Sequence, residues 1–266
     1  MLLPAPSGAG FPFWGSFMQT DMAVGSHEEQ PLISNRVLYR VTAAIAGMAA
    51  LTFAINVTAR TYGGQLALGG HTDSTQEYAI TIGSDTLNLP ANTIRFSEQR
   101  TNGPSEQTNL YFAWPEMTGY SPALQRKFDD VGNAGSLIFV QLSEATMSRD
   151  MSGRLEPIYN RLFEGKPETG PYGLTLNRLK PDSGYGDEVI FTAPRPGTTN
   201  YVVRCIIPKN TDANGSGDCQ RDIHLGSGLS VLYRFSYANL RDWNQLDGAV
   251  TRFITNHLVS STSTGG

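Results

Sequence analysis

The stretch that most constrains this chain is Val41 to Ala59, VTAAIAGMAALTFAINVTA. It carries no charge, and Asn56 is its single strongly polar side chain. Arg40 closes it on one side and Arg60 on the other. As a helix rising 1.5 Å per residue, about 20 such residues cross a hydrocarbon layer roughly 30 Å thick. Tyr39 and Tyr62 fall where aromatic rings sit at the two interfaces. Apolar runs of this length are rare in soluble cores. The sequence therefore predicts one transmembrane helix over 36–60, with the lipid bilayer as its partner.

Basic residues near the ends set the orientation. Arg36 and Arg40 precede the run, Arg60 alone follows closely, and the next basic residue is Arg95. This bias puts the N-terminus in the cytoplasm and the larger part of the chain across the membrane. A cleaved signal sequence competes, with Val57-Thr58-Ala59 as a small-residue cleavage site. The uncleaved anchor is preferred because no basic residue precedes Arg36. Ala46, Ala50 and Ala54 recur every fourth residue, with Ala43 and Gly47 beside them. Such spacing lets two transmembrane backbones approach, so self-association through the anchor is one expectation; the ordinary frequency of alanine in anchors explains the same pattern.

The organisation outside the anchor follows from composition. Residues 1–35 are rich in Pro, Gly and aromatics without a period, and read as a largely disordered cytoplasmic arm. Within it, Phe11-Pro12-Phe13-Trp14 is apolar enough to touch a membrane or a partner. Gly63-Gly64 and Gly69-Gly70 punctuate a linker over 61–76. Residues 77–258 are long enough for one domain with a real core, and 259–266 form a disordered tail. Beyond Arg60 there are 21 acids against 17 bases, so the basic stripe of a nucleic-acid binder is missing.

The two cysteines, Cys205 and Cys219, both lie in that domain. In an oxidising compartment they should pair across the polar, glycine-rich segment between them. Two cysteines with no second pair make a poor metal site.

Periodicity supplies the elements. Tyr78, Ile80 and Ile82 alternate on one strand face; Leu87 and Leu89 begin another strand, and Leu110, Phe112 and Trp114 a third. Ser121-Pro122 looks like a helix start. SLIFVQL, Ser136 to Leu142, reads as a central strand. Leu155, Ile158, Tyr159, Leu162 and Phe163 follow helical spacing, with Gly165 placed as a C-terminal cap. Glu188 to Thr192 and Asn200 to Ile207 read as strands, and Gly226-Ser227-Gly228 as a hairpin turn. From Asn239 to Leu258 a long helix presents Leu240, Trp243, Leu246, Val250, Phe253, Ile254 and Leu258 on one face. Arg241, Asp242, Asp247 and Arg252 lie on the other. The predicted class is α+β: a mostly antiparallel sheet, packed on one side by the long C-terminal helix and the Leu155 to Phe163 helix, preceded by the transmembrane helix.

The segments LYFAWPEMTGYSP, KPDSGYGDEVIF and GLSVLYRFSYANLRDWNQLDGAV, within Ile94 to Val250, resemble uncharacterised single-pass membrane-anchored proteins of Gram-negative bacteria with a periplasmic domain. The resemblance implies location and anchoring and brings no catalytic residue.

Chemistry is sparse. Asp222, His224 and Ser227 sit on one hairpin, where a serine triad cannot usually close. Asn210, Asp212, Asn214 and Gly215 imitate the start of a calcium loop, but Arg221 stands where its bidentate carboxylate belongs. Glu116, Asp129, Asp130 and Glu144 are acids that sequence cannot bring into a glycosidase pair. The most distinctive loop, Pro181 to Glu188, offers Asp182, Tyr185, Asp187 and Glu188 as a candidate ligand loop for a sugar or cation, or serves as a turn built on its glycines. No P-loop, dinucleotide fingerprint or H-E-x-x-H occurs, and no cofactor or metal site is expected. The expected role is a non-enzymatic, membrane-anchored cell-envelope protein on the bacterial inner membrane. Its periplasmic domain would contact other membrane or periplasmic proteins. The alternative is a membrane-tethered periplasmic hydrolase acting on an envelope polymer through Asp182, Asp187 or Glu188.

Overall fold

The computed structural model describes residues 34–67, 70–130, 132–208 and 217–259. The arm before residue 34, most of the calcium-like segment (209–216) and the tail from residue 260 lie outside these. The chain divides into two units between Thr58 and Ala59.

The first element is helix α1, Asn35–Ala67, 33 residues. Its stretch Asn35–Asn56 is long and apolar enough to cross a membrane, and none of it is buried. Thr42 and Thr52 turn their hydroxyls back onto the carbonyls of Leu38 and Met48, at 2.9 and 2.8 Å, so neither leaves an unpaired polar group on the surface. The helix continues past Arg60 and through Gly63-Gly64, where a linker was expected. Each interior glycine costs only about 1 kcal/mol relative to alanine, too little to stop an established hydrogen-bond ladder. Residues 70–76 are not a free tether either. Gly70 accepts from the Arg100 guanidinium at 2.7 Å, and Ser74 and Gln76 accept from the amides of Asn92 and Ala91.

The α+β domain is built on an antiparallel eight-stranded sheet. Its strands are β4 (Gln107–Ala113), β5 (Leu137–Glu144), β6 (Phe163–Thr169), β7 (Thr175–Leu179), β8 (Glu188–Ala193), β9 (Tyr201–Ile206), β10 (Asp218–Leu225) and β11 (Leu229–Ser236). Their order is β4-β5-β11-β10-β9-β8-β7-β6. A small sheet, β2-β1-β3, comes from β1 (Glu77–Ile82), β2 (Asp85–Pro90) and the short β3 (Gly103–Pro104). The β10–β11 hairpin closes on Gly226-Ser227-Gly228. Asp85 accepts from the amides of Ser227 and Gly228, each at 2.8 Å, and so ties the small sheet to that turn. Gly226 is required there: its φ is +60°, and a Cβ would stand 2.4 Å from Asp85 Oδ1.

Strand alternation sends neighbouring side chains to opposite faces. One face, with Phe112, Val140, Val231, Phe235, Val203 and Phe191, packs with the small sheet and with Leu246, Val250 and Ile254 of α4 (Trp243–His257). The expected helix at Leu155 is shorter than its spacing suggests. It is one π turn, Leu155–Tyr159, running into α3 (Asn160–Leu162), with both Ile158 and Tyr159 donating to the carbonyl of Arg154. Pro157, with no amide to donate, sits inside this turn. Gly165 consequently lies within β6 rather than capping a helix. The turn also packs on the face away from α4, not beside it: Leu155 and Tyr159 meet Leu179, Ile190 and Val202, whose strand neighbours Val189, Phe191 and Val203 point toward α4. The other end of that second face is covered by α2 (Gln125–Asp129) and its flanks, where Phe128 and Tyr120 pack on Tyr111 and Ala113.

Candidate functional site

Cys205 and Cys219 are directly opposite each other on β9 and β10 and form a disulfide, with their Cα atoms 4.1 Å apart. Both are fully buried in the main core. This is the pairing that the two-cysteine count suggested, and it ties adjacent strands at the centre of the sheet.

The candidate ligand loop adopts a short turn at Pro181–Ser183, followed by Gly184 and Gly186 at φ values of +82° and +59°. Asp182 is exposed. Tyr185 packs beside Tyr159 and lies under the Arg204 guanidinium, 5.0 Å from its ring centre. Glu188 pairs with Arg204 at 3.0 Å; burial raises its carboxyl above the usual range, and Arg204 opposes that rise. Asp187 is exposed. Tyr185 and Glu188 thus share Arg204, and none of the four lines the cleft described below. The other acids are likewise dispersed. Glu116 is held by Lys127 at 2.7 Å, Asp130 accepts from the Gly132 amide, and Glu144 lies against Gly83 beside the small sheet. On the β10–β11 hairpin, Asp222 is taken by Arg154 and the Ser227 amide by Asp85, so no triad forms with His224. In α1, Ala46, Gly47, Ala50 and Ala54 lie on exposed surface, as does Arg40.

Two sites emerge that spacing did not reveal. The first is a buried ionic cluster beneath α4. Asp247, expected on the polar face of the helix, is only 5% exposed. It accepts from Arg221 Nε at 2.9 Å, from Arg195 Nη1 at 2.6 Å and from the Tyr233 hydroxyl at 2.5 Å. Arg221 donates also to Ser152 Oγ and the carbonyl of Val202. Burial alone would raise the Asp247 carboxyl, but Arg221, the Tyr233 hydroxyl and Arg195 together hold it below its ordinary value. The cluster fastens α4 to β10 and β11.

The second is a cleft on the opposite face of the sheet, over β4, β5, β10 and β11. It has two lobes of about 420 and 380 Å³ that share Arg95, Phe139 and Asp218. The larger lobe is walled by Tyr111, Phe128, Leu137 and Phe139. His71, from the segment preceding β1, is wedged between Tyr111 and Tyr120, stacked at 5.4 and 4.9 Å, with Phe128 edge-on. Its Nδ1 is 2.9 Å from the Tyr111 hydroxyl and its Nε2 is 3.7 Å from Asp129. Burial lowers the His71 pKa, helped by Arg100 and Arg95 and opposed by Asp129. Burial pushes the Tyr111 hydroxyl up to about 12, against the pull of Arg100. Both shifts favour the neutral form. The Arg95 guanidinium lies 5.0 Å from the ring centres of Phe96 and Phe139.

No family model and no curated protein matches this sequence. The chain is similar in structure to Smlt3025, an immunity protein of the Stenotrophomonas maltophilia type IV secretion system. That likeness has 16% identity and a TM-score of 0.50, covering 72% of this chain and 96% of that one. It is also similar to the Neisseria meningitidis iron-regulated outer membrane lipoprotein FrpD, at 11% identity and a TM-score of 0.41, covering 70% and 96%. At such identity the first likeness is one of fold.

Proposed function

We propose that this chain is a non-enzymatic, membrane-anchored protein of the bacterial cell envelope whose α+β domain binds other envelope proteins. The observation that carries this reading is α1. A helix apolar all round needs either a protein core or lipid, and none of the apolar stretch of α1 is buried in protein. A signal sequence satisfies the same test; the uncleaved anchor is favoured by the lack of basic residues before Arg36. The arginine bias places the N-terminus in the cytoplasm and the domain in the periplasm, where the Cys205–Cys219 disulfide would persist. A hydrolase built on Asp182, Asp187 and Glu188 draws no support from the cleft, which none of the three lines. The likeness to an immunity protein of a secretion system fits a binding role; since one fold hosts many functions, it supports the reading without choosing the partner.

The test is photo-crosslinking of the full chain in intact membranes of a Gram-negative host, followed by mass spectrometry. Crosslinks from domain residues to envelope proteins are expected. Turnover of a cell-wall or ester substrate by the purified chain, stopped by a single polar substitution, would contradict the reading.

A further inference from the structure

The cleft suggests what kind of partner the domain takes. We propose that it binds an acidic, apolar segment of another protein, with a carboxylate on Arg95 and a large apolar side chain in the aromatic lobe beside it. This deepens the interaction reading above and rests on it.

The argument begins with Arg95. Its backbone is fixed, because its amide donates to the carbonyl of Asn109 on β4 at 2.8 Å. Its guanidinium lies 5.0 Å from the ring centres of both Phe139 and Phe96. Among the described residues that guanidinium makes no hydrogen bond or ion pair. A guanidinium resting on aromatic carbon keeps its N–H donors in the plane of the group, where a carboxylate can take two at once. The neighbouring cations are already engaged. Arg234 is bound to Asp218 at 2.5 Å, and Arg100 donates to the carbonyls of Ile94 and Gly70.

The adjoining lobe gives the second half of the specificity. At about 420 Å³ it has the size of a small ligand pocket, and its walls are Tyr111, Phe128, Leu137 and Phe139. His71 and Tyr111 satisfy each other there at 2.9 Å, so an apolar occupant strands neither group. Asp218, which lines both lobes beside Arg95, is already paired with Arg234, so Arg95 is the unpaired cation there among the described residues. Arginine beside fully formed aromatic pockets is also the composition that carries most interface energy.

The experiment uses the full chain in phosphatidylcholine nanodiscs and three fluorescein-labelled six-residue peptides. One has a Glu-Phe-Leu-Glu core, the second has Gln for each Glu, and the third has Lys. Anisotropy should show the acidic peptide binding about tenfold tighter than the Gln peptide, and the Lys peptide weakest. Arg95→Gln should remove that preference without moving the thermal midpoint. Arg178→Gln, an equal loss of charge at the other end of the sheet, should leave the preference intact. Equal affinity for the three peptides, no binding of the acidic peptide up to about 1 mM, or a preference surviving Arg95→Gln would overturn the proposal. So would Arg95-dependent binding of phosphatidylglycerol vesicles in place of the peptide. Scoring bilayer retention and Cys205–Cys219 oxidation on the same samples separates failure of this site from failure of the envelope reading.

Discussion

Helices α1 and α4 are both rich in apolar residues, and they have opposite fates. In α1 the apolar side chains point outward all round: Leu51 is 62% exposed, Phe53 72% and Ile55 60%. In α4 they occupy one face, and Leu246, Val250 and Ile254 are fully buried. The difference lies in what each sequence provides as a counter-surface. Helix α4 matches the inward residues of β4, β5 and β11 and brings one buried acid for two arginines. Helix α1 has no polar face, and its stretch Asn35–Asn56 is long and apolar enough to cross a membrane.

That contrast can be broken most severely at Asp247. Asp247→Ala leaves Arg221 buried without its charge partner, and urea unfolding should show a loss of about 3–5 kcal/mol. The pH dependence has a defined sign. The folded-state pKa of Asp247 is depressed, so its stabilisation is complete above the ordinary value of 3.8 and is lost as pH falls through the folded value. Asp247→Asn should flatten the stability profile in that acid window.

Leu246→Ala, on the buried face of α4, should cost about 2–5 kcal/mol in the same measurement. Leu51→Ala, the same truncation in α1, should shift the unfolding of the domain by less than about 0.5 kcal/mol. A large effect at Leu51 would contradict the membrane reading of α1. Replacing Cys205 and Cys219 together by serine removes a link closing a loop of 14 residues and should cost about 3 kcal/mol, read by denaturant unfolding.

The smallest expected effect is at His71. Its folded-state pKa is lowered by burial, so the neutral ring stabilises the fold above the ordinary value of 6.5. That contribution falls away as pH drops from there toward the folded value. His71→Phe should flatten the profile in this window, measured by thermal unfolding across pH.

Elements with a one-sided pattern were legible in the sequence. The face of α4, the apolar run of β5, the hairpin at Gly226 and the apolar stretch of α1 all announce themselves through spacing, and the structure has the same α+β class. The π turn at Leu155 was not legible, because Leu155, Ile158, Tyr159 and Leu162 read equally as a longer helix, and the sheet face it covers is a tertiary choice. Asp247 was misplaced for a similar reason. A carboxylate on a helix reads as solvent-facing unless its buried cations are known, and Arg221 and Arg195 lie 26 and 52 residues away. The cleft draws His71, Arg95, Tyr111, Phe139 and Asp218 from separate segments, each ordinary in its own context. One signal was present: Tyr111 stands between Leu110 and Phe112, so β4 carries large apolar groups toward both faces, which points to cover on both.

The most direct test of the account is alkaline carbonate extraction of membranes carrying the full chain in a Gram-negative host, followed by thiol alkylation of the pellet without reductant. Full-length chain retained in the pellet, with Cys205 and Cys219 inaccessible to alkylation until reduced, is the predicted result. Full-length chain in the soluble fraction, or both cysteines alkylated at once, would contradict it.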